Sequence, residues 1–184
     1  MAHQPMGARL AIGTTAPDFT LPATDGKEYS FARHKGAKGT VVVFACNHCP
    51  YVKAYDQRIN DAAREFMPKG IMFFVINAND EKNYPDDSFA KMKEKAIQYK
   101  LPYPYLRDAT QKVATDYGAG CTPEVFCFDA AGKLCYTGRV DDNMEDLGAV
   151  KQRYLWDACT ALVVGTKPKL QEVHPIGCSI KWSR

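Results

Sequence analysis

Two of the seven cysteines, Cys46 and Cys49, are separated by only two residues, Asn47 and His48. Such a pair can form and open a disulfide by thiol exchange, or it can supply two of the four ligands of a zinc site. The sequence contains no second Cys-X-X-Cys or Cys-X-X-His pair that would complete a zinc site. The spacing therefore favours redox chemistry, and we expect neither a metal nor a cofactor. Two buried, inert cysteines are the remaining alternative.

The pair lies between two segments with different hydrophobic periods. Residues 40–45 form an apolar, β-branched run that is typical of a buried central strand. After Pro50, apolar side chains recur at helical spacing, at Val52, Tyr55, Ile59, Ala62 and Phe66. Unpaired N–H groups and the macrodipole at a helix N-terminus stabilise an anion, so we expect the pKa of Cys46 to fall below the ~8.5 of a free cysteine.

The positions of the two cysteines suggest different roles. Cys46, at the end of the strand, is expected to be the exposed sulfur that attacks a disulfide. Cys49, one turn further in, is expected to resolve the mixed disulfide. His48 lies between them, and as an imidazolium it would favour the thiolate further. Stabilising the reduced thiolate makes the disulfide more oxidising, so we expect a less reducing couple than a Gly-Pro dipeptide would give.

The remaining elements indicate an α/β fold. Further strands are predicted at residues 71–76, 103–106, 124–128 and 133–138, and further helices after caps at Ser88 and Thr110 and over residues 146–164. This order predicts a mixed central β-sheet flanked by helices. Residues 13–31 are predicted to contain a small N-terminal hairpin, and residues 166–184 a C-terminal tail that wraps back onto the domain.

Length and charge limit the classes of function. With 184 residues we expect a single domain over residues 1–184, which buries roughly 70% of its unfolded surface. A net charge of +3 is too small to indicate nucleic acid or an anionic membrane as a partner. The longest apolar run is too short to span a bilayer, and residues 1–13 lack the core of a signal peptide. We therefore expect a cytoplasmic protein with free cysteines, in which residues 1–10 are a flexible tail.

Several motifs resemble those of the thioredoxin-like superfamily, on its redoxin branch of alkyl hydroperoxide reductases and thiol-specific antioxidants. The opening Gly13-Thr-Thr-Ala-Pro-Asp-Phe-Thr-Leu21 is similar to the start of that branch. The run Cys-Asn-His-Cys-Pro-Tyr-Val at residues 46–52 is similar to a subgroup of uncharacterised bacterial thioredoxin-like proteins. Further similar segments lie at residues 77–80, 84–88, 121–123, 136–142 and 177–182. The resemblance spans residues 12–182 and implies a thioredoxin-like fold.

The resemblance also implies roles for individual residues. Thr122-Pro123 matches the cis-proline loop that packs beside the cysteine pair, where the preceding backbone can bind a peptide substrate. A trans proline at the start of an edge strand is the alternative. Cys121 would then lie near the pair, either as a third redox thiol or as a small packed side chain. Cys46 stands where peroxiredoxins have a threonine, three residues before their peroxidatic cysteine, which weakens the expectation of peroxidase activity.

Two further residues are auxiliary candidates. Arg139 either stabilises a thiolate or a peroxide oxygen near the site, or forms a surface ion pair with Asp141 or Asp142. Cys178, in the tail, either pairs with Cys121 under oxidation or is simply buried. The sequence leaves both choices open.

Three polar residues, Asn77, Asn79 and Asp80, follow a predicted strand. Ligand sites of α/β proteins form at the carboxyl ends of strands, so these side chains either contribute to a site or cap their own loop. Both interpretations are open at this point.

The sequence thus predicts a thiol–disulfide oxidoreductase. We expect it to act on protein or low-molecular-weight thiols and disulfides, with an electron donor as a second partner. A thiol-dependent peroxidase is the first alternative. A redox-inert binding domain on the same fold is the second.

Overall fold

The structure is a computed structural model that describes residues 8–183. Its strands are β1 (Thr20–Pro22), β2 (Glu28–Ser30), β3 (Gly39–Phe44), β4 (Ile71–Asn77), β5 (Tyr105–Arg107), β6 (Cys121–Thr122), β7 (Glu124–Asp129), β8 (Leu134–Gly138) and β9 (Cys178–Ser179). Its helices are α1 (Phe31–His34), α2 (Pro50–Phe66), α3 (Phe89–Gln98), α4 (Lys112–Tyr117) and α5 (Tyr154–Val163). Short 3₁₀ turns lie at Met67–Lys69, Pro85–Asp87 and Leu147–Ala149.

The central sheet has five strands in the order β5-β4-β3-β7-β8. Strands β3, β4 and β5 run parallel, whereas β7 is antiparallel to β3 and β8 is antiparallel to β7. Strands β1 and β2 form the predicted hairpin at the N-terminal end of the chain. The mixed sheet and its flanking helices confirm the predicted α/β fold class.

Strand β3 occupies the middle of the sheet, and all six of its residues are buried. Its side chains alternate between two apolar layers, as the pleat requires. Val41 and Val43 pack with helices α2 and α5, whereas Val42 and Phe44 pack with the hairpin and α4. This two-sided burial explains why β3 reads as a continuous apolar run.

The chain leaves β3 and enters α2 through the cysteine pair. Cys49 is the N-cap residue of α2, and Pro50 occupies the first helical turn, where a missing N–H costs nothing. Ser88 caps α3 by accepting a hydrogen bond from the backbone N–H of Lys91, as predicted. Within residues 8–183 no helix combines the length and apolar character needed to cross a membrane.

The last helix is shorter than the sequence predicts. Residues 146–164 were expected to be helical, but only α5 is, after a single 3₁₀ turn. Side-chain oxygens of the preceding loop bind the backbone N–H groups that a helix would need. Asn143 Oδ1 accepts from the N–H of Asp146 at 2.9 Å, and Asp142 Oδ1 accepts from that of Lys151 at 3.0 Å. Such local bonds compete with helix formation.

The flexible tail predicted at residues 1–10 stays a prediction, but one of its residues contacts the folded domain. Arg9 forms an ion pair of 2.9 Å with Glu124, a buried carboxylate at the start of β7. A buried carboxylate needs such a partner, so Arg9 belongs to the folded domain. Residues 1–7 lie outside the described part of the chain.

The C-terminal tail wraps back onto the domain, as predicted. Its strand β9 pairs antiparallel with β6, so that Thr122 faces Cys178 and Cys121 faces Ser179. Ile180, which follows β9, is 2% exposed, and its backbone N–H donates to the carbonyl of Gly120 at 3.1 Å. The tail therefore covers the loop that precedes β7.

Candidate active site

Cys46 and Cys49 lie side by side against Thr122. The Cys46 sulfur is 3.5 Å from the Thr122 hydroxyl, and the Cys49 thiol can donate to the Thr122 carbonyl oxygen at 3.3 Å. The Thr122–Pro123 peptide bond is cis. The structure thus brings together Cys46, Cys49 and the Thr122-Pro123 loop, four of the residues that the sequence assigned to the site, and both cysteines are free thiols.

The predicted exposure of Cys46 is wrong, and the surroundings of Cys46 oppose its predicted ionisation. Cys46 is 1% exposed and Cys49 is 0% exposed. Its hydrogen bond with Cys49, burial, and the negative charge of Asp87 together raise the pKa of Cys46 above its ordinary value. Hydrogen bonds from the thiols of Cys46 and Cys178 and from the backbone N–H of Val52 outweigh burial at Cys49 and lower its pKa to about 4.

The position of the helix explains this reversal. Cys49 is the N-cap residue of α2, and although its side chain forms no regular capping hydrogen bond, the nearby backbone N–H of Val52 in the first turn lowers its pKa. Cys46 lies three residues earlier, outside the helix. The helix N-terminus therefore stabilises a thiolate on the second sulfur of the pair and not on the first.

His48 is held by a buried carboxylate. Its Nδ1 hydrogen-bonds to Oδ2 of Asp87, a residue that is 0% exposed. Its ring also stacks on Tyr84, with a centroid separation of 5.4 Å and an interplanar angle of 13°. A ring nitrogen of His48, the Cys46 sulfur and an Asp87 oxygen lie within 4.8 Å of one another. The imidazole is therefore oriented at the first cysteine of the pair.

Asp87 is in turn fixed by three further N–H donors. The backbone N–H of Asn47 donates to Oδ1 at 2.6 Å, and the Asn77 side chain donates to the same oxygen at 3.3 Å. The Asn79 side chain donates to Oδ2 at 2.8 Å. These bonds satisfy a buried carboxylate, which would otherwise be costly. Cys46, His48 and Asp87 could together face a metal ion, but the bonds already made by both carboxylate oxygens favour a hydrogen-bonding role for Asp87.

Asp87 is the residue that sequence reasoning missed. The sequence assigned Asp87-Ser88 only to the cap of α3, although residues 77–80 and 84–88 both belong to the motifs of the resemblance. The sequence left two roles open for Asn77, Asn79 and Asp80, a contribution to the site or a cap of their own loop, and the structure shows both. Asn77 and Asn79 reach into the site through Asp87, whereas Asp80 caps its own loop by accepting from the N–H of Lys82 at 3.1 Å.

Arg139 does not take either of its two predicted roles. Its Nε donates to the carbonyl of His174 at 2.9 Å, so it fastens the tail to the domain. Asp141 pairs instead with Arg58, at 2.6 Å. Within residues 8–183 Arg139 forms no ion pair with an aspartate and no hydrogen bond to Cys46 or Cys49.

The two auxiliary cysteines lie on neighbouring strands but differ in surroundings. Burial and the nearby Glu124 raise the pKa of Cys121 to about 12, which disfavours a thiolate there. Cys178 is half-buried, and its thiol interacts with that of Cys49. Side chains alternate across a strand pair, so Cys178 lies with Thr122 on one face and Cys121 with Ser179 on the other. This arrangement disfavours the predicted Cys121–Cys178 pairing.

The predicted peptide-binding edge at Thr122 is occupied by the chain itself. Strand β6 pairs with β9, so the backbone that the sequence assigned to substrate binding is covered by the tail. A polar cleft of about 440 Å³ opens on the other side of the site, between α2 and α3. Asn47 and His48 form one end of that cleft, and Lys53, Asp56 and Lys95 line it. A small polar molecule can therefore approach the site from the His48 side.

The fold, the cysteine pair at the strand–helix junction and the cis-proline loop together define a thioredoxin-like protein. The chain belongs to the Redoxin family, whose family model matches residues 11–152.

Three relatives show what the chain is similar to. An uncharacterised conserved protein from Geobacillus kaustophilus has a crystal structure with 39% identity and a TM-score of 0.90, covering 96% of this chain and 94% of that one. Thiol-disulfide oxidoreductase ResA of Geobacillus thermodenitrificans is 26% identical over 68% of this chain and 67% of its own. Chloroplastic peroxiredoxin Q of Suaeda salsa is 29% identical over 60% of this chain and 48% of its own. The similarity to ResA and to peroxiredoxin Q supports an oxidoreductase activity.

We predict that Asp87→Asn lowers the pKa of Cys46, because it removes a negative charge that opposes the Cys46 thiolate. The measurement is the pH dependence of iodoacetamide labelling at Cys46, resolved by tandem mass spectrometry. The labelling midpoint is expected to move to lower pH, and each unit of change multiplies the thiolate fraction about tenfold well below the pKa.

Asp86→Asn is the matched control, because Asp86 is exposed and adjacent in the sequence. It is expected to leave the midpoint of Cys46 unchanged. Denaturant unfolding of both variants checks that the domain is intact. Equal midpoints in the folded Asp87→Asn and Asp86→Asn proteins would contradict a direct electrostatic action of Asp87.

Proposed function

We propose that this chain is a thiol–disulfide oxidoreductase that uses Cys46 and Cys49 as its dithiol–disulfide couple. The carrying observation is geometric: two free thiols both lie against Thr122 beside the cis Thr122–Pro123 bond, and the second of them, Cys49, is the N-cap residue of α2. Thiolate is the nucleophile in disulfide exchange, and a neighbouring thiol is needed to release the mixed disulfide. The similarity to ResA supports the same chemistry.

In the proposed first step Cys46 attacks a substrate disulfide. Its proton passes to the Cys49 thiolate, and the resulting Cys46 thiolate can accept a hydrogen bond from the Thr122 hydroxyl. A bond forms between the Cys46 sulfur and one substrate sulfur, while the other substrate sulfur leaves as a thiolate and takes up a proton. His48, anchored by Asp87, is the acid–base group beside Cys46 that can carry the proton taken up by the leaving thiolate.

In the proposed second step Cys49 releases the product. Cys49 loses its proton again and attacks the Cys46 sulfur, so that the second substrate thiol leaves. The protein then holds a Cys46–Cys49 disulfide, and the substrate has gained two electrons and two protons. An external thiol donor must return them to complete the cycle. In the mixed disulfide the Cys46 thiol no longer donates to Cys49, so the Cys178 thiol and the backbone N–H of Val52 are the donors that favour ionisation of the resolving sulfur.

The substrates we propose are disulfides that can reach a buried pair. Both sulfurs are buried and the Thr122 edge is covered by the tail, which excludes a rigid protein surface from the site in this conformation. Small disulfides, or protein disulfides in flexible segments, fit the cleft beside His48 better. A cytoplasmic location and an electron donor as the second partner stay predictions.

A thiol-dependent peroxidase is the second candidate, and the similarity to peroxiredoxin Q favours it. The raised pKa of Cys46 disfavours it as a peroxide-attacking thiolate, and Cys49 would have to take that role. Consumption of hydrogen peroxide coupled to dithiothreitol distinguishes the two. A turnover with peroxide that exceeds the turnover with a disulfide, and that is lost in Cys49→Ser, would support the peroxidase instead.

We predict that Cys46→Ser and Cys49→Ser each abolish catalysis of insulin disulfide reduction by dithiothreitol, leaving only the uncatalysed rate. Each variant lacks one sulfur of the couple, so no intramolecular disulfide can form between residues 46 and 49. The measurement is the rate of insulin precipitation at equal protein concentration.

Cys135→Ala is the control for loss of a buried cysteine, because Cys135 lies on the edge strand β8 of the sheet. It is expected to retain the wild-type rate. Catalysis by both Cys46→Ser and Cys49→Ser at the wild-type rate would exclude the proposed couple.

A further inference from the structure

Strand β9 brings a third sulfur to the pair. Thr122 is the residue that contacts both Cys46 and Cys49, through its hydroxyl and its carbonyl oxygen respectively. The backbone paired with Thr122 is therefore well placed to deliver another side chain to these sulfurs. In this chain the paired residue is Cys178, at the start of β9.

The tail is built to hold Cys178 in this place. A Cβ atom on Gly177 would lie 2.2 Å from the carbonyl oxygen of Thr122, so only glycine permits this approach. On the other side of β9, the backbone N–H of Lys181 donates to Asn79 Oδ1 at 2.9 Å. The buried Ile180 lies between these two attachments. The strand is thus fixed at both ends across the cysteine pair.

The three sulfurs differ in access to solvent. Cys46 and Cys49 are buried, whereas Cys178 is half-buried at the edge of the domain. The Cys178 thiol interacts with Cys49 and helps to stabilise its thiolate. Burial and the neighbouring Cys49 raise the pKa of Cys178 to about 11, so it meets Cys49 as a protonated thiol. Of the three sulfurs, Cys178 is therefore the one with partial access to solvent.

We propose that Cys178 is a third redox thiol, which the tail holds next to the cysteine pair. In this role Cys178 accepts electrons from an external dithiol donor and passes them to Cys49. This proposal rests on the proposed function, because it requires a Cys46–Cys49 disulfide. It goes beyond that function by assigning the half-buried Cys178 as the point where the donor acts.

The step is an exchange that conserves the number of disulfides. Cys178 loses its proton, and its sulfur attacks Cys49 in the oxidised pair. The Cys49–Cys178 bond forms as the Cys46–Cys49 bond breaks, and Cys46 leaves as a thiolate and takes up the proton. A dithiol donor then attacks Cys178, which releases the Cys49 thiolate. The second thiol of the donor frees Cys178, so the donor is oxidised to a disulfide and the protein returns to three reduced sulfurs.

Disulfide mapping in Cys46→Ser tests the connection directly. Diamide oxidises this variant, and trypsin then separates the six remaining cysteines onto five peptides, of which residues 134–139 carry Cys135 and residues 154–169 carry Cys159. Cys49 lies on residues 39–53, Cys178 on residues 170–181, and Cys121 and Cys127 on residues 113–133. The expected principal product joins residues 39–53 to residues 170–181. A Cys49 that forms no link to Cys178, or that links to residues 113–133 instead, would overturn the proposal.

Gly177→Ala is the geometric control in the same background. Its added methyl group cannot fit against Thr122, so β9 must move and the yield of the Cys49–Cys178 link is expected to fall. Circular dichroism verifies that the sheet is retained. An unchanged yield in the folded variant would show that the observed packing of β9 does not direct the pairing.

Kinetics of Cys178→Ser separate this proposal from the proposed function. One equivalent of insulin disulfide oxidises the reduced protein in a single turnover, which needs only Cys46 and Cys49. Re-reduction by dithiothreitol is then followed by acid quenching and thiol counting. Cys178→Ser is expected to slow re-reduction about tenfold or more, because an intramolecular thiol is replaced by a bimolecular attack on buried sulfurs. The single-turnover rate is expected to change much less, because a hydroxyl can still donate to the Cys49 sulfur in place of the thiol.

The two ideas fail in different ways. Re-reduction of Cys178→Ser at the wild-type rate, with normal single turnover, would refute the relay and leave the proposed function intact. Absence of single turnover in the wild-type protein would refute the proposed function itself. Cys121→Ser is the matched control on the neighbouring strand, and we expect it to resemble the wild type in both phases.

Discussion

The site depends on one electrostatic constraint, which is the stabilisation of a single thiolate inside the domain at the N-terminus of α2. An anion buried away from water is costly unless hydrogen-bond donors surround it. At Cys49 these donors are the neighbouring thiols and an N–H group of the first helical turn. The same burial leaves Cys46 protonated, because a second negative charge next to the first would have no comparable partners. The pair therefore holds one proton and one charge.

The surrounding structure can be understood from this constraint. Strand β3 ends directly before the pair, and its burial on both faces fixes where the helix begins. Asp87 brings another negative charge to the site. Three N–H donors and His48 form hydrogen bonds to its carboxylate and keep it in place. On the opposite side, the tail closes the site through β9 and supplies a thiol where the sequence had suggested an open edge.

The sequence predicted the features that depend on local pattern. The two-sided apolar run of β3, the helical period after Pro50 and the cap of α3 at Ser88 are all present. It failed where side chains compete with the helical backbone, as Asn143 and Asp142 do before α5. Cys46 and Cys49 are three residues apart, which is nearly one helical turn. The sequence does not fix the first residue of a helix that closely, so it could not determine which of the two sulfurs the helix N-terminus stabilises.

The features that depend on long-range contacts were beyond the sequence. Asp87 lies about 40 positions from the pair and Cys178 well over 100, and no local period connects them. The sequence assigned Asp87 only to a helix cap and Cys178 only to burial or a pairing with Cys121. The close approach of Gly177 to Thr122 follows from the packing of the tail and has no counterpart in propensity. The charge at Cys49, in contrast, can be observed directly.

The most direct measurement is the ¹³Cβ chemical shift of each cysteine in the reduced protein, followed by NMR from about pH 3 to about pH 9, up to the pKa of free cysteine. The account predicts that Cys49 titrates with a midpoint near the pKa of about 4 and that Cys46 stays protonated over this range. Because the folded pKa of Cys49 lies below its unfolded value, the reduced protein should also lose stability as the pH falls toward 4. A titration of Cys46 in the acidic range, with Cys49 protonated at neutral pH, would contradict the account.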